Sequence, residues 1–210
     1  MKVVAFNGSP RKEGNTYRAL KFVAEELEKE GIEVEIIQVG DKVIRGCLAC
    51  NGCVKNRNSR CINDNDEVNA WIEKMIEADG IILGSPVHFS GIAGTMKSFL
   101  DRAFYAASRE LRHKVGAAVV AVRRSGGVNA YEQLNIYLNY SEMLMPSSNY
   151  WNVIYGAAPG EAAEDEEGKQ IMSVLGKNMA WLLKLVANGS GTVPEPERAK
   201  KIFTNFIRKI

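Results

Sequence analysis

No stretch of the chain approaches the roughly 18 consecutive apolar residues that a membrane-spanning helix requires. The longest runs, such as "VGAAVVAV" at 115–122, are the length of a buried strand, and a membrane span is excluded. The chain opens on a strand-like "KVVAFNGSP" without the basic segment, apolar run and small-residue cleavage site of a secretory leader, so a cytoplasmic location is expected. Charge of one sign is also missing. Lys and Arg number 27 against 25 Asp and Glu, a formal excess of +2, and the two signs are interspersed, so the electrostatic footprint of nucleic-acid binding is absent. Histidine is scarce, at two residues: His88 reads as a backbone-bonded loop residue before a proton donor, and His113 has no motif around it. There is no internal repeat or low-complexity tract. Cysteine is missing everywhere except residues 47–61, where all four of the chain's thiols are packed into "CLACNGCVKNRNSRC". Clustered thiols in a reducing compartment read as metal-binding or redox-active rather than as structural disulfides.

What is present is enough for one core. At 210 residues and 46% hydrophobic content the chain falls below the length at which single cores stop growing, roughly 250–300 residues. Short β-rich runs alternate with longer stretches of helical period, the pattern of a parallel sheet covered by helices on both faces. Strands are expected at 2–7, 33–39, 80–85, 115–122 and 150–156, the second alternating as an edge strand does. Helices are expected at 16–30 and near 65–78, 93–109, 128–144 and 166–187. The fold class that follows is α/β, a flavodoxin-like three-layer sandwich with five parallel strands in the order 2-1-3-4-5. Residues 1–187 form the domain, with an insertion at 46–62; 188–210 form a Gly- and Pro-rich linker and a basic closing helix with Ile202, Phe203, Phe206, Ile207 and Ile210 in one apolar stripe.

The segment "NGSPRKEGNT" at 7–16 joins the first strand to the first helix, where unpaired N–H groups make an anion site. It is not a Walker loop, because five residues separate Gly8 from Gly14 and Asn15 stands where the lysine belongs. Nor is it a dinucleotide fingerprint, because Ser9-Pro10 removes the second glycine. Ser9, Arg11, Asn15 and Thr16 leave hydroxyl, amide and guanidinium donors suited to one terminal phosphate. This loop resembles the FMN-phosphate loop of the NADPH-dependent FMN reductase family. "GSPVHFSGIAGTMKSFLDR" at 84–102 is similar to that family's loop after the third strand. The resemblance implies FMN as cofactor, with Pro86, Val87, His88, Phe89, Ser90 and Gly91 along the isoalloxazine ring. A third loop, "RRSGGVN" at 123–129, brings Ser125, Gly126 and Gly127 to the same end of the sheet, and Arg123 and Arg124 could meet a phosphate.

The thiols follow C-x2-C-x2-C-x7-C through Cys47, Cys50, Cys53 and Cys61. Four thiolates at such spacing suit a [4Fe–4S] cluster, with Lys55, Arg57 and Arg60 nearby to offset its negative charge. A structural zinc and metal-free thiols stay open as alternatives. The motif resembles that of the iron–sulfur flavoproteins, built on the same flavin domain with the cysteines inserted after the second strand; the spacer before Cys61 is longer than their commonest form. What the resemblance implies is a redox protein passing electrons between a reductant, FMN and the cluster, with NAD(P)H as a possible donor and a redox partner protein or small-molecule acceptor. The alternatives are an NAD(P)H-dependent FMN or quinone reductase with idle cysteines, and a non-catalytic redox sensor. A homodimer or homotetramer is expected by the same resemblance. "YLNYSEMLMPSSNYW" at 137–151 either covers a neighbour's flavin or belongs to the core.

Overall fold

The structure, a computed structural model, describes residues 1–204. The elements run β1 (Lys2–Asn7), α1 (Asn15–Lys29), β2 (Glu33–Gln38), α2 (Gly52–Asn56), α3 (Val68–Glu77), β3 (Gly80–His88), β4 (Gly91–Ile92), α4 (Gly94–Ala107), β5 (Val115–Val122), α5 (Gly127–Tyr140), β6 (Val153–Tyr155) and α6 (Glu166–Gly189). Five strands pair in parallel in the order β2-β1-β3-β5-β6, and β4 is a two-residue antiparallel addition to the tip of β3. Counting only the parallel strands, this is the expected order.

Period-two alternation explains how one sheet supports two cores. Along β1, Val4 and Phe6 face a cluster with Trp71, Phe99 and Leu134, while Val3 and Ala5 face one with Leu20, Leu27 and Met179. Helices α3, α4 and α5 therefore cover one face and α1 and α6 the other. Phe6, Phe99 and Trp71 stack across the first interface, with centroids 4.8 Å apart for Phe6–Phe99 and a perpendicular Trp71–Phe99 contact at 5.2 Å. On the second face α1 and α6 approach closely at Gly176, where a Cβ would lie 2.8 Å from the Val23 carbonyl oxygen. β5 is buried along its whole length, whereas β2 keeps a partly exposed edge.

Several boundaries differ from the sequence expectation, and the helix expected at 128–144 stops at Tyr140. β3 runs on to His88 because Val87 and His88 pair with Ile92 and Gly91. The last strand shrinks to Val153–Tyr155, since Asn152 turns its side chain inward to donate from Nδ2 to the Ala118 carbonyl at 3.0 Å. A short helix, α2, forms between the cysteines. Residues 190–204 carry no helix; the rest of the expected closing helix, with Phe206, Ile207 and Ile210, lies outside the described residues. The 137–151 stretch divides: Leu138 and Met143 are core, while Tyr140, Leu144, Met145, Tyr150 and Trp151 are exposed.

Candidate functional site

The loops after β1, β3, β5 and β6 all leave the carboxyl ends of parallel strands, where open α/β sheets bind ligands. The first is shaped by a polar network. Asn7 Nδ2 donates to Gln38 Oε1 at 2.7 Å, Gln38 Nε2 donates to the Ser9 carbonyl at 2.7 Å, and Ser9 N donates to Asn7 Oδ1 at 3.1 Å. The Ser9 hydroxyl accepts from Arg11 N at 3.1 Å, closing the turn. Gly40 backs this loop so closely that a Cβ there would lie 2.2 Å from the Ser9 carbonyl carbon and oxygen. No side chain caps α1, whose N-cap is Gly14. Thr16 Oγ1 is buried and has no hydrogen-bond partner among the described residues. A buried hydroxyl left unpaired costs about 1–3 kcal/mol, so this position fits an incoming acceptor such as a phosphate oxygen. Arg11 is exposed. Asn15 uses its amide otherwise: Nδ2 donates to the Ala158 carbonyl at 3.0 Å and Oδ1 accepts from Ala162 N at 3.1 Å, bracing the β6–α6 loop against α1.

Gly8 N donates to the Gly84 carbonyl at 2.8 Å, which sets the first loop beside the second. At the β3–β4 turn, Phe89 and Ser90 both have positive φ, 48° and 60°, as a two-residue hairpin of the type I′ class demands. Phe89 is fully exposed. Two contacts from α5 hold the turn: Asn129 Nδ2 donates to the Ser90 carbonyl at 2.6 Å, and Gln133 Oε1 accepts from Ile92 N at 3.2 Å. Gly126, at φ 85°, lets the third loop press against it, since a Cβ there would meet Ser90 Oγ at 2.7 Å. The segments 7–16, 86–91 and 125–127 are thus brought together. A cleft of about 340 Å³ adjoins the third loop, walled by Tyr150, Trp151 and Tyr155; an open hollow of about 790 Å³ lies beyond Arg123 and Arg124.

The four cysteines line one pocket, shared with Arg102 and Tyr105 of α4. All are free thiols, and burial pushes the Cys53 thiol up. Ala49, Asn51, Arg57 and Ser59 take left-handed backbone, which coils the segment around the pocket. Cys61 is fixed at both backbone groups by buried Asn69 of α3: its N–H donates to Oδ1 at 2.8 Å and its carbonyl accepts from Nδ2 at 2.9 Å. Its sulfur accepts from Arg102 Nε at 3.3 Å. Burial opposes the charge on Arg102, but the Asp66 and Cys61 hydrogen bonds outweigh it and hold the guanidinium above its usual pKa. Among the described residues no three ligating side chains converge on a point for a single ion; the thiols ring a pocket instead. Of the basic residues in the spacer, Lys55 and Arg57 are exposed, and Arg60 turns to Glu73 and Asp64. Gln38 and Asn69 were not legible as site residues, because each is a polar side chain on a regular element with no local motif around it; Asn7 and Arg102 stand at the edges of the 7–16 and 84–102 segments, but nothing in the sequence shows the network of the first or the turn of the second towards the cysteines.

The model of the NADPH-dependent FMN reductase family matches residues 1–158. The chain belongs to that family. It is an FMN redox protein and an oxidoreductase, on a flavodoxin-like fold. An iron–sulfur flavoprotein of Methanocaldococcus jannaschii is 38% identical over 194 residues, covering 89% of this chain and 99% of that one. Among solved structures, RosB with bound intermediate 8-demethyl-8-formylriboflavin-5'-phosphate superposes with a TM-score of 0.70 at 16% identity, over 98% of this chain and 92% of that one. A flavodoxin from the domain Archaea superposes with a TM-score of 0.60 at 18% identity, over 88% and 99% of the two chains. These two show the fold.

Proposed function

We propose that this family member is an iron–sulfur flavoprotein in which Cys47, Cys50, Cys53 and Cys61 hold a [4Fe–4S] cluster and the strand-end loops hold FMN. The observation that carries the reading is that all four thiols of the chain line one pocket, with no His, Asp or Glu in its wall. The C-x2-C-x2-C-x7-C spacing suits four thiolates on a polynuclear cluster, whereas a single structural zinc usually takes paired ligands separated by a long spacer. The terminal phosphate of FMN would take Ser9, Arg11, Thr16 and the backbone N–H of Asn15 at the uncapped start of α1; Thr16 Oγ1 is the donor that has no other use. Pro86, Val87, His88, Phe89, Ser90 and Gly91 of the β3–β4 hairpin and Ser125, Gly126 and Gly127 would flank the ring, through backbone groups and through the side-chain contact area of Val87, His88 and Phe89.

When bound, the flavin supplies two-electron and one-electron chemistry in one site. The protein's part is to hold the ring and phosphate, exclude water and place the thiol pocket within the same domain, residues 1–187. α4 connects the two sites, since it starts directly after the hairpin and carries Arg102 into the cysteine pocket. A redox partner protein or small-molecule acceptor, with NAD(P)H as a donor, completes the cycle. A cytoplasmic setting, where thiols stay reduced, fits four free cysteines, and among the described residues no helix is long and apolar enough to cross a membrane. A homodimer or homotetramer is part of the same reading, supported by exposed Tyr150 and Trp151 beside the third loop.

The test is elemental analysis and an absorption spectrum on anaerobically purified protein. Iron, sulfide and FMN are expected near 4:4:1 per chain. Yellow protein free of iron would move the assignment to an NAD(P)H-dependent FMN reductase with idle cysteines, and colourless protein would remove the flavin assignment altogether.

A further inference from the structure

Arg102 has the least exposed guanidinium among the described residues that could be expected at a surface: on α4 it is 2% exposed. A buried charge persists only when paired and hydrogen-bonded, and Arg102 meets both conditions with groups that flank the cysteines. Its NH1 donates to the Arg45 carbonyl at 3.3 Å, before Cys47. Its NH2 donates to the Asn63 carbonyl at 2.7 Å and to Asp66 Oδ1 at 3.0 Å, after Cys61. The remaining donor, Nε, points at Cys61 Sγ at 3.3 Å. One planar fork therefore staples both ends of the cysteine segment and aims its last N–H at a sulfur. The Asp66 pair alone does not require that last contact, because Nε faces away from the carboxylate edge.

We propose that Arg102 is the positioning residue of the cysteine site: it presents Cys61, the ligand at the end of the long spacer, and tunes the reduction potential of the cluster through its N–H to that sulfur. This rests on the cluster reading above. Reduction adds negative charge to a cluster, so a positively charged donor on one of its sulfurs favours the reduced form, and removing it lowers the potential. Cys47 and Cys50 are exposed, and Cys61 alone has its backbone clamped by Asn69 and its sulfur held by a buried cation.

The experiment is an anaerobic dithionite titration of the holoprotein, following the cluster by electron paramagnetic resonance, with iron and FMN counted on each sample. The pair Arg102→Met with Asp66→Asn removes both buried charges, so no orphan ion is left to unfold the protein. It is expected to retain FMN and, relative to Asp66→Asn alone, to shift the reduction equilibrium at least tenfold towards the oxidised cluster, about 59 mV for one electron. Asp66→Asn alone leaves Nε on the sulfur and is expected to hold or raise the potential. A midpoint in the double variant no lower than that of Asp66→Asn, or a fall in Asp66→Asn equal to that of the double variant, would overturn the proposal while leaving the cluster reading intact. If the double variant loses its cluster, Arg102→Lys decides: a lowered midpoint, or lost iron where Asp66→Asn stays loaded, upholds the role, and full iron at the wild-type midpoint refutes it. Wild-type protein without iron would instead remove the cluster reading, and the proposal with it, before any variant is made.

Discussion

Thr16 sits at the first turn of α1 with a buried hydroxyl that no group among the described residues satisfies. In the free protein that is a cost of about 1–3 kcal/mol, and a bound phosphate oxygen would offset it. The two states therefore respond oppositely to one substitution. Thr16→Val removes the orphan hydroxyl while keeping the branched shape, so the free protein should melt at an equal or higher temperature, while FMN affinity should fall about tenfold, or about 1.4 kcal/mol. Fluorescence quenching on FMN titration and thermal melts of the FMN-free form measure the two halves. Unchanged affinity in Thr16→Val combined with Ser9→Ala would place the phosphate elsewhere. Gly40 gives a second residue-level test, because its Cβ position is occupied by the Ser9 backbone at 2.2 Å. Gly40→Ala must push the loop off Gln38, and a loss of FMN affinity exceeding that of Ser9→Ala is expected in the same titration.

Among the elements, the β3–β4 hairpin is built against its own sequence preference. Phe89 and Ser90 occupy the two left-handed positions of a turn that favours Asn-Gly, at a cost of roughly 1–2 kcal/mol per residue, and Phe89 recovers none of it by packing because it is fully exposed. The turn persists because Asn129 and Gln133 of α5 hold its carbonyl and amide, and because Gly126 leaves room for Ser90. Replacing Phe89 and Ser90 by Asn and Gly should stabilise the protein by about 1–2 kcal/mol in urea denaturation. The same variant should bind FMN more weakly and turn over electron acceptors more slowly, since the contact area that the ring would meet is gone. Equal affinity and turnover, with the gain in stability, would mean that Phe89 serves neither. Sequence alone reached the hairpin's residues but took them for an irregular loop. The two-residue strand that makes it a hairpin depends on pairing to Val87 and on side chains some 40 positions away.

Across the whole molecule, the parallel sheet was legible because burial on both faces forces near-continuous apolar strands, and β1, β3 and β5 carry that composition openly. The four thiols were legible because they are the chain's only cysteines. What holds them was not, for Asn69 and Arg102 read along the chain as ordinary polar positions on amphipathic helices, and only the packing of α3 and α4 turns them towards Cys61. This division has a physical consequence. The two hydrophobic cores lie against the sheet and take nothing from the cysteine segment, whose Leu48, Val54 and Ile62 are all exposed and whose backbone holds four residues in left-handed conformations. Its order therefore rests on a few polar ties and on whatever the thiols bind, whereas the order of the sheet does not. Removing iron with a chelator under reducing conditions should raise amide hydrogen exchange across 46–62, and open that segment to protease, while strands β1, β3 and β5 keep their protection and FMN stays bound. Exchange that spread into the sheet together with the loop would show that the thiol pocket and the flavin domain fold as one cooperative unit, and the picture of an inserted redox module tied down by α3 and α4 would have to be abandoned.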